Sequence, residues 1–230
     1  MADAYRQQAT DVRVNAFIQN VYGWMTAALA VTGFVALAVS RSPEVQSFIF
    51  GSRFVFFGLI IGQLVLVMWL ATRIMQLSAQ TATVVFIGYS VLNGLTMSSI
   101  FLVYADATIA QAFFVTAGVF GIMTVYGFVT KTDLTRFGNL LGMALLGFII
   151  ASVVNLFLRS EGLYWIVTYA GVVIFTGLVA YDSQRIKEMA RSGADESPVA
   201  QNLAIMGALR LYLDFINLFL LLLRIMGRRR

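Results

Sequence analysis

The 230-residue sequence has no cysteine and no histidine, only two prolines, and just 12% charged residues. Without cysteine there is no disulfide, thiolate metal site or thiol nucleophile. Without histidine there is no imidazole base, metal ligand or near-neutral titrating side chain. Acid–base chemistry falls to the 11 carboxylates, the tyrosines and two lysines, Lys131 and Lys187. The shortage of charge also excludes an ordinary soluble surface, which needs about a quarter charged residues. What is present instead is apolar, 60% of the chain. At ~20 residues per bilayer crossing, that content allows about six or seven spans and no sizeable extramembrane domain.

Apolar runs separated by short polar breaks predict helices at about 20–40, 54–75, 80–104, 108–130, 137–158, 162–182 and 203–224. Each is close to the length of one crossing. The expectation is an all-α integral membrane protein, a seven-transmembrane-helix bundle forming one polytopic domain over 1–230. It has a polar N-terminal segment at 1–19, its longest loop at 183–202 and a basic tail at 225–230. A barrel is excluded because the runs are continuous, not alternating, and a barrel strand needs only ~10 residues. The N-terminal segment carries Asp3 and Asp11 among its arginines, unlike a cleaved signal peptide, so it is expected to be retained.

The net charge of +5 comes from 16 basic residues scattered over short loops, with no continuous stripe to track phosphates, so no nucleic-acid partner is expected. The pattern reads as topology. Arg6, Arg13, Arg73, Lys131, Arg136, Arg185, Lys187 and Arg191 fall on the N-terminal side, against Arg41, Arg53 and Arg159 opposite, which predicts a cytoplasmic N-terminus. Arg224 and the tail Arg228, Arg229 and Arg230 resist this, since seven spans place them outside. Either the last helix bends back without crossing, or the tail is tolerated there. Gly58 with Gly62, and Gly138 with Gly142, have the spacing of close helix approach, for which ordinary packing is the plain explanation. Trp24, Trp69, Tyr104 and Trp165 lie near span ends, where amphipathic rings settle.

Within a bilayer the informative residues are ionisable ones at depth, because a charge near the centre costs at least ~2.5–3.5 kcal/mol on insertion scales. Most carboxylates lie in loops. Asp214 does not: Gly207, Arg210, Asp214, Asn217, Leu221 and Arg224 recur at spacings of three or four, on one face of the last helix. That polar face places the last helix centrally, against neighbours or a watery cavity. Arg210 precedes Asp214 by four, so an intrahelical ion pair is the plain structural reading and a functional carboxylate the other.

Asp182, in the run FTGLVAYDSQRIKEM, ends the sixth span, where a solvated helix end would explain it. If the sixth and seventh helices pack antiparallel and these two carboxylates approach, they cannot both ionise cheaply in low dielectric. They would then share a proton and titrate as a coupled pair. In a protein without histidine this is the most economical pH sensor. Arg73 ends the second span at the same cytoplasmic level as Asp182, which makes it a candidate latch: an ion pair when the aspartate is charged, released on protonation.

The segments GLVAYDSQRIK at 177–187 and LYLDFINLFLLLLR at 211–224 resemble the two signature segments of the Bax-inhibitor (transmembrane Bax-inhibitor-motif) family. The resemblance covers nearly the whole chain and points to a bacterial member in the inner membrane. It implies a seven-helix bundle with the last helix wrapped by the other six, and a pH-sensitive calcium leak. It also implies that Asp182 and Asp214 are the sensing pair and that Arg73 is the partner of Asp182. A membrane-bound quality-control protease is implied as a partner.

Three readings follow. The first is a pH-sensitive cation leak, Ca²⁺ foremost, with weak transient oxygen ligands from Asp182, Asp214 and Asn217; no tight metal site and no cofactor are expected, Ca²⁺ being cargo. The second is a non-conducting regulatory partner of other membrane proteins. The third is an intramembrane aspartyl protease, whose dyad would share a proton for the same reason. That family's second motif is Gly-x-Gly-Asp, whereas Leu211, Tyr212 and Leu213 precede Asp214 here, so the chain is not expected to be an enzyme. A retinal-binding receptor is disfavoured, since the seventh span has no lysine for a Schiff base.

Overall fold

A computed structural model describes residues 2–192 and 200–227, with side chains from residue 11 onward. The helices are α1 Ala2–Ser40, α2 Pro43–Gly51, α3 Arg53–Arg73, α4 Ala79–Met97, α5 Ile100–Val103, α6 Asp106–Val129, α7 Thr135–Leu158, α8 Glu161–Arg191 and α9 Ala200–Met226. Among the described residues there is no strand. Seven helical segments are long and apolar enough to cross a membrane: α1 from Asp11, α3 with its following 3-10 turn, α4 with α5, α6, α7, α8 and α9. The seven-span expectation holds.

Element boundaries follow local chemistry. Pro43 opens α2, where its missing N–H costs nothing. The Ser78 hydroxyl accepts the Thr81 N–H and caps α4. Lipid-facing surface is extensive: Phe54 is 91% exposed, Phe157 83% and Phe34 74%. In water such a surface would aggregate, but in a bilayer it is the solvated face. The spans differ sharply in enclosure. The most apolar stretch of α7 has no buried residue, whereas that of α9 is 67% buried, which bears out the central last helix.

Two regions differ from the sequence reading. The polar segment 1–19 is not a separate element, because α1 begins at Ala2 and runs on into the first span. The long loop expected at 183–202 is helical at both ends, through Arg191 and again from Ala200. The charges of Arg185, Lys187 and Glu188 suggest a loop, but Ile186 and Ala190 are buried and carry the helical stripe onward. Asp195, Glu196 and the tail arginines 228–230 lie outside the described residues.

The chain divides into two compact units. The first takes α1 to α5, the end of α8 and α9 up to Tyr212. Here α1 packs chiefly on α4, and Gly94 permits the approach: a Cβ there would lie 2.8 Å from the Thr32 carbonyl oxygen. The Thr32 hydroxyl donates to the Ser90 carbonyl at 2.9 Å, so the Tyr212 hydroxyl, 2.7 Å away, donates to Thr32. Phe86 and Tyr89 meet the Tyr212 ring edge to face, at 5.8 and 5.9 Å. Asn202 donates to the carbonyls of Ile74 and Leu77, closing the turn after α3.

The second unit takes α6, α7, most of α8 and α9 from Leu213. Phe175 and Leu178 of α8 form one apolar cluster with Leu218 and Leu221 of α9, covered by Leu141, Leu145 and Phe148 of α7. Phe215 lies between Phe113 and Phe120 of α6, at ring distances of 5.6 and 5.5 Å. Of the four glycines singled out by spacing, only Gly138 meets a neighbour, the Tyr181 ring; Gly58, Gly62 and Gly142 face open space. A close helix approach occurs at Gly127, where a Cβ would lie 2.4 Å from the Ala180 carbonyl oxygen.

Candidate functional site

Asp182 and Asp214 both belong to the second unit, and both are buried, at 7% and 5% exposure. The solvated-end reading of Asp182 therefore fails: α8 continues past it to Arg191. The relative level of the two residues follows from packing. Leu221 seats against Gly171, and Leu218 joins the cluster of Phe175 and Leu178, so α8 and α9 run antiparallel. One further turn along each helix leads from Leu178 to Asp182 and from Leu218 to Asp214. At 3.6 residues per turn, that register brings the carboxylates within about one turn of the same level.

The backbone around Asp182 is fixed by its neighbours in sequence. Gln184, 8% exposed, uses both ends of its amide: Oε1 accepts the Leu134 N–H at 2.8 Å and Nε2 donates to the Thr132 carbonyl at 2.9 Å. The Lys187 ammonium donates to the Phe128 carbonyl at the C-terminal end of α6, where a cation also meets the helix dipole favourably. The Ser183 hydroxyl reaches Thr124 at 3.4 Å, and Arg185 donates to the Tyr181 hydroxyl at 3.2 Å. Residues 181 to 187 thus bind α8 to the end of α6 and to the loop before α7. Sequence reading missed Gln184 and Lys187 because it ended the helix at Asp182. The signal was the continued spacing of Val179, Asp182, Ser183, Ile186 and Ala190, all buried.

In that same loop, outside the spans, Asp133 accepts from the Thr135 hydroxyl and, at 2.9 Å, from the Thr135 backbone N–H. These bonds, with nearby Arg136 assisting, hold its carboxyl below the usual carboxylate range.

The other expected site residues each have surroundings of their own. Arg73 belongs to the first unit and is exposed, with its guanidinium donating to the Gln76 side chain at 2.9 Å. Arg210 is half-buried, one turn before Asp214 on α9. Asn217 donates to the Leu213 carbonyl at 2.8 Å and lines a partly open cavity of about 490 Å³ between α7, α8 and α9. The polar stripe on α9 thus runs from buried Gly207 to exposed Arg224, past Asp214 in the interior.

Seven apolar helices, a well-enclosed last helix and two buried carboxylates define a polytopic membrane protein built around ionisable groups held away from lipid. The model of the family described as inhibitor of apoptosis-promoting Bax1 matches residues 14–230, and the chain belongs to that family. It is 52% identical to the inner membrane protein YbhL of Escherichia coli strain K12, over 93% of this chain and 92% of the relative. It is also 42% identical to an uncharacterized protein of Borreliella burgdorferi, over 100% and 99% of the two chains, and 35% identical to one of Caulobacter vibrioides, over 96% and 92%. None of these three names states an enzymatic activity.

Proposed function

We propose that this protein is a pH-sensitive cation leak of the inner membrane, with Ca²⁺ as its principal cargo and a cytoplasmic N-terminus. Its gate is the pair Asp182 and Asp214, sharing one proton when closed to full ionisation. The observation that carries this reading is the burial of both carboxylates on antiparallel helices at nearly the same level. Burying a carboxylate is expensive, and two in one register are harder still to keep charged together. Asn217, three residues beyond Asp214, adds an oxygen at the wall of a cavity, as weak transient coordination of a hard cation requires. Arg73 acts as the latch, exchanging its Gln76 partner for ionised Asp182. Membership of the family and the location of YbhL in the inner membrane support the setting.

The test is Ca²⁺ flux into liposomes containing this protein alone, measured across about pH 6 to 8. Wild type, Asp182→Asn, Asp214→Asn and Arg73→Gln are compared. Flux that varies with pH, with both aspartate variants losing that variation, is the expected result; Arg73→Gln should conduct more at high pH. PH-dependent flux unaltered in both aspartate variants refutes the pair. Absence of flux from folded protein refutes conduction and turns the reading to a regulatory partner, for instance of a membrane quality-control protease, with the aspartates a structural lock.

A further inference from the structure

The same cavity has a second end, unrelated to the carboxylates. Its walls include Arg159, Arg224 and Tyr164, together with Asn155, Leu156 and Leu220. These residues lie where α7 ends, α8 begins and α9 ends, at the edge of the apolar spans. We propose that this end is a binding site for one anionic phospholipid, its phosphate between the two guanidinium groups and an acyl chain along the leucines.

Arg159 and Arg224 both line this one cavity, and no carboxylate is among its lining residues. Like charges facing one space repel unless an anion lies between them, and arginine is the side chain whose planar fork fits a phosphate. One arginine is held by its side chain and the other is placed by its backbone. The Arg224 guanidinium carbon sits 5.5 Å over the Tyr164 ring, which holds it by cation–π attraction. Arg159 occupies the left-handed cap of α7, with φ 50° and ψ 33°, a position that usually takes glycine. Asn155 builds that turn: its carbonyl accepts the Arg159 N–H at 2.9 Å and its side chain accepts the Ser160 N–H at 3.0 Å. The turn therefore fixes a cation where the backbone would prefer no side chain.

The remaining walls distinguish a lipid from a free anion. Leu156 is 74% exposed and Val153, also lining the cavity, is 48% exposed, so one side opens toward the bilayer and not toward water. A free phosphate would gain nothing from those walls, whereas an acyl chain would bury against them. The volume of about 490 Å³ admits a headgroup, the glycerol and the upper part of a chain. The charge complementarity is that of the basic interhelical pockets that bind anionic headgroups on the cytoplasmic side of membranes, here at the opposite end of the spans. In the expected orientation Arg159 and Arg224 both lie outside, and the single negative charge of a bound phosphodiester offsets one of the two. None of this depends on conduction.

The test uses the full chain, stripped of lipid in a neutral detergent and titrated with phosphatidylglycerol, with phosphatidylcholine of the same chains, or with inorganic phosphate. Retained lipid is read by native mass spectrometry and protection by thermal melting. Phosphatidylglycerol should bind on the order of tenfold more tightly than phosphatidylcholine. Arg159→Gln and Arg224→Gln should each lower that preference severalfold, and the double variant should abolish it. Should the double variant fail to fold, the two single variants decide. Equal binding of the two lipids, or an intact preference in both single variants, overturns the proposal. Protection by inorganic phosphate equal to that by phosphatidylglycerol overturns the lipid assignment.

Discussion

Gly127→Ala tests whether α6 and α8 meet as closely as described, at the turn of α8 that carries Asp182. The added methyl carbon would stand 2.4 Å from the Ala180 carbonyl oxygen and 3.0 Å from Ser183 Cβ. Close carbon–oxygen contact is about 3.3 Å, so the overlap is near 1 Å. The obstacle is backbone, which cannot rotate aside, and overpacking of this kind costs about 1–3 kcal/mol, here toward the upper end. Alanine recovers up to about 1 kcal/mol of helix preference over glycine. The net expectation is a loss of about 1–2 kcal/mol, or a midpoint about 2–8 °C lower for a chain of this size. Gly142→Ala is the control, since no atom lies within 4 Å of its added carbon. Only the helix preference acts there, so the midpoint should stay or rise. The assay is thermal unfolding of the two variants and wild type in one detergent. A Gly127→Ala protein as stable as wild type, or a Gly142→Ala protein more damaged than it, would refute the close approach of α6 and α8.

Gln184→Ala removes both ends of the clamp on the loop before α7 and leaves the Leu134 N–H buried without its acceptor. A loss of about 1–3 kcal/mol is expected, measured by denaturation, with Gln184→Glu recovering only the bond from Leu134 because a carboxylate cannot donate to the Thr132 carbonyl. Asp133, held below its ordinary value of 3.8 by the Thr135 hydroxyl and then its N–H, contributes stability that is complete above that value and disappears as pH falls through the lowered one. The melting temperature of Asp133→Asn should therefore converge on that of wild type only under strongly acidic conditions, and an equal gap at every pH would refute the assignment.

The span pattern was legible because continuous apolar runs of bilayer length have no other use in a chain with this little charge. The burial of Asp214 was legible too, from its place in the polar stripe of an otherwise apolar helix. Asp182 was recognised as a candidate, yet its surroundings were not: Arg185, Lys187 and Glu188 look like loop residues until Ile186 and Ala190 are seen buried between them. A long polar side chain can serve a helix exterior or reach a neighbouring carbonyl, as Lys187 does, and one sequence does not separate these. Glycine spacing was a poor guide for a related reason. Gly58, Gly62 and Gly142 face open space, while Gly94 and Gly127, without a regular partner, admit neighbouring helices. The arginine cavity was beyond reach altogether, since it joins the corner between α7 and α8, with its left-handed turn at Arg159, to the end of α9, remote in sequence.

The kinds of contact in the second unit differ between the two helices that carry the carboxylates. Around Asp182, α8 is tied by directional bonds from Ser183, Gln184 and Lys187 to α6 and its following loop. Breaking these away from water leaves polar groups exposed to an apolar medium, at a cost of a few kcal/mol each. The second half of α9 is held in a different way: Phe215 rests on Phe113 and Phe120, and Leu218 and Leu221 on the cluster around Phe175. Apolar contacts of this type can slide by fractions of a turn without stranding a donor or an acceptor, particularly when lipid tails replace what is lost. On the proposed gating, these directional bonds make the α8 side the harder to displace, while α9 is itself anchored in its first half through Asn202 and Tyr212.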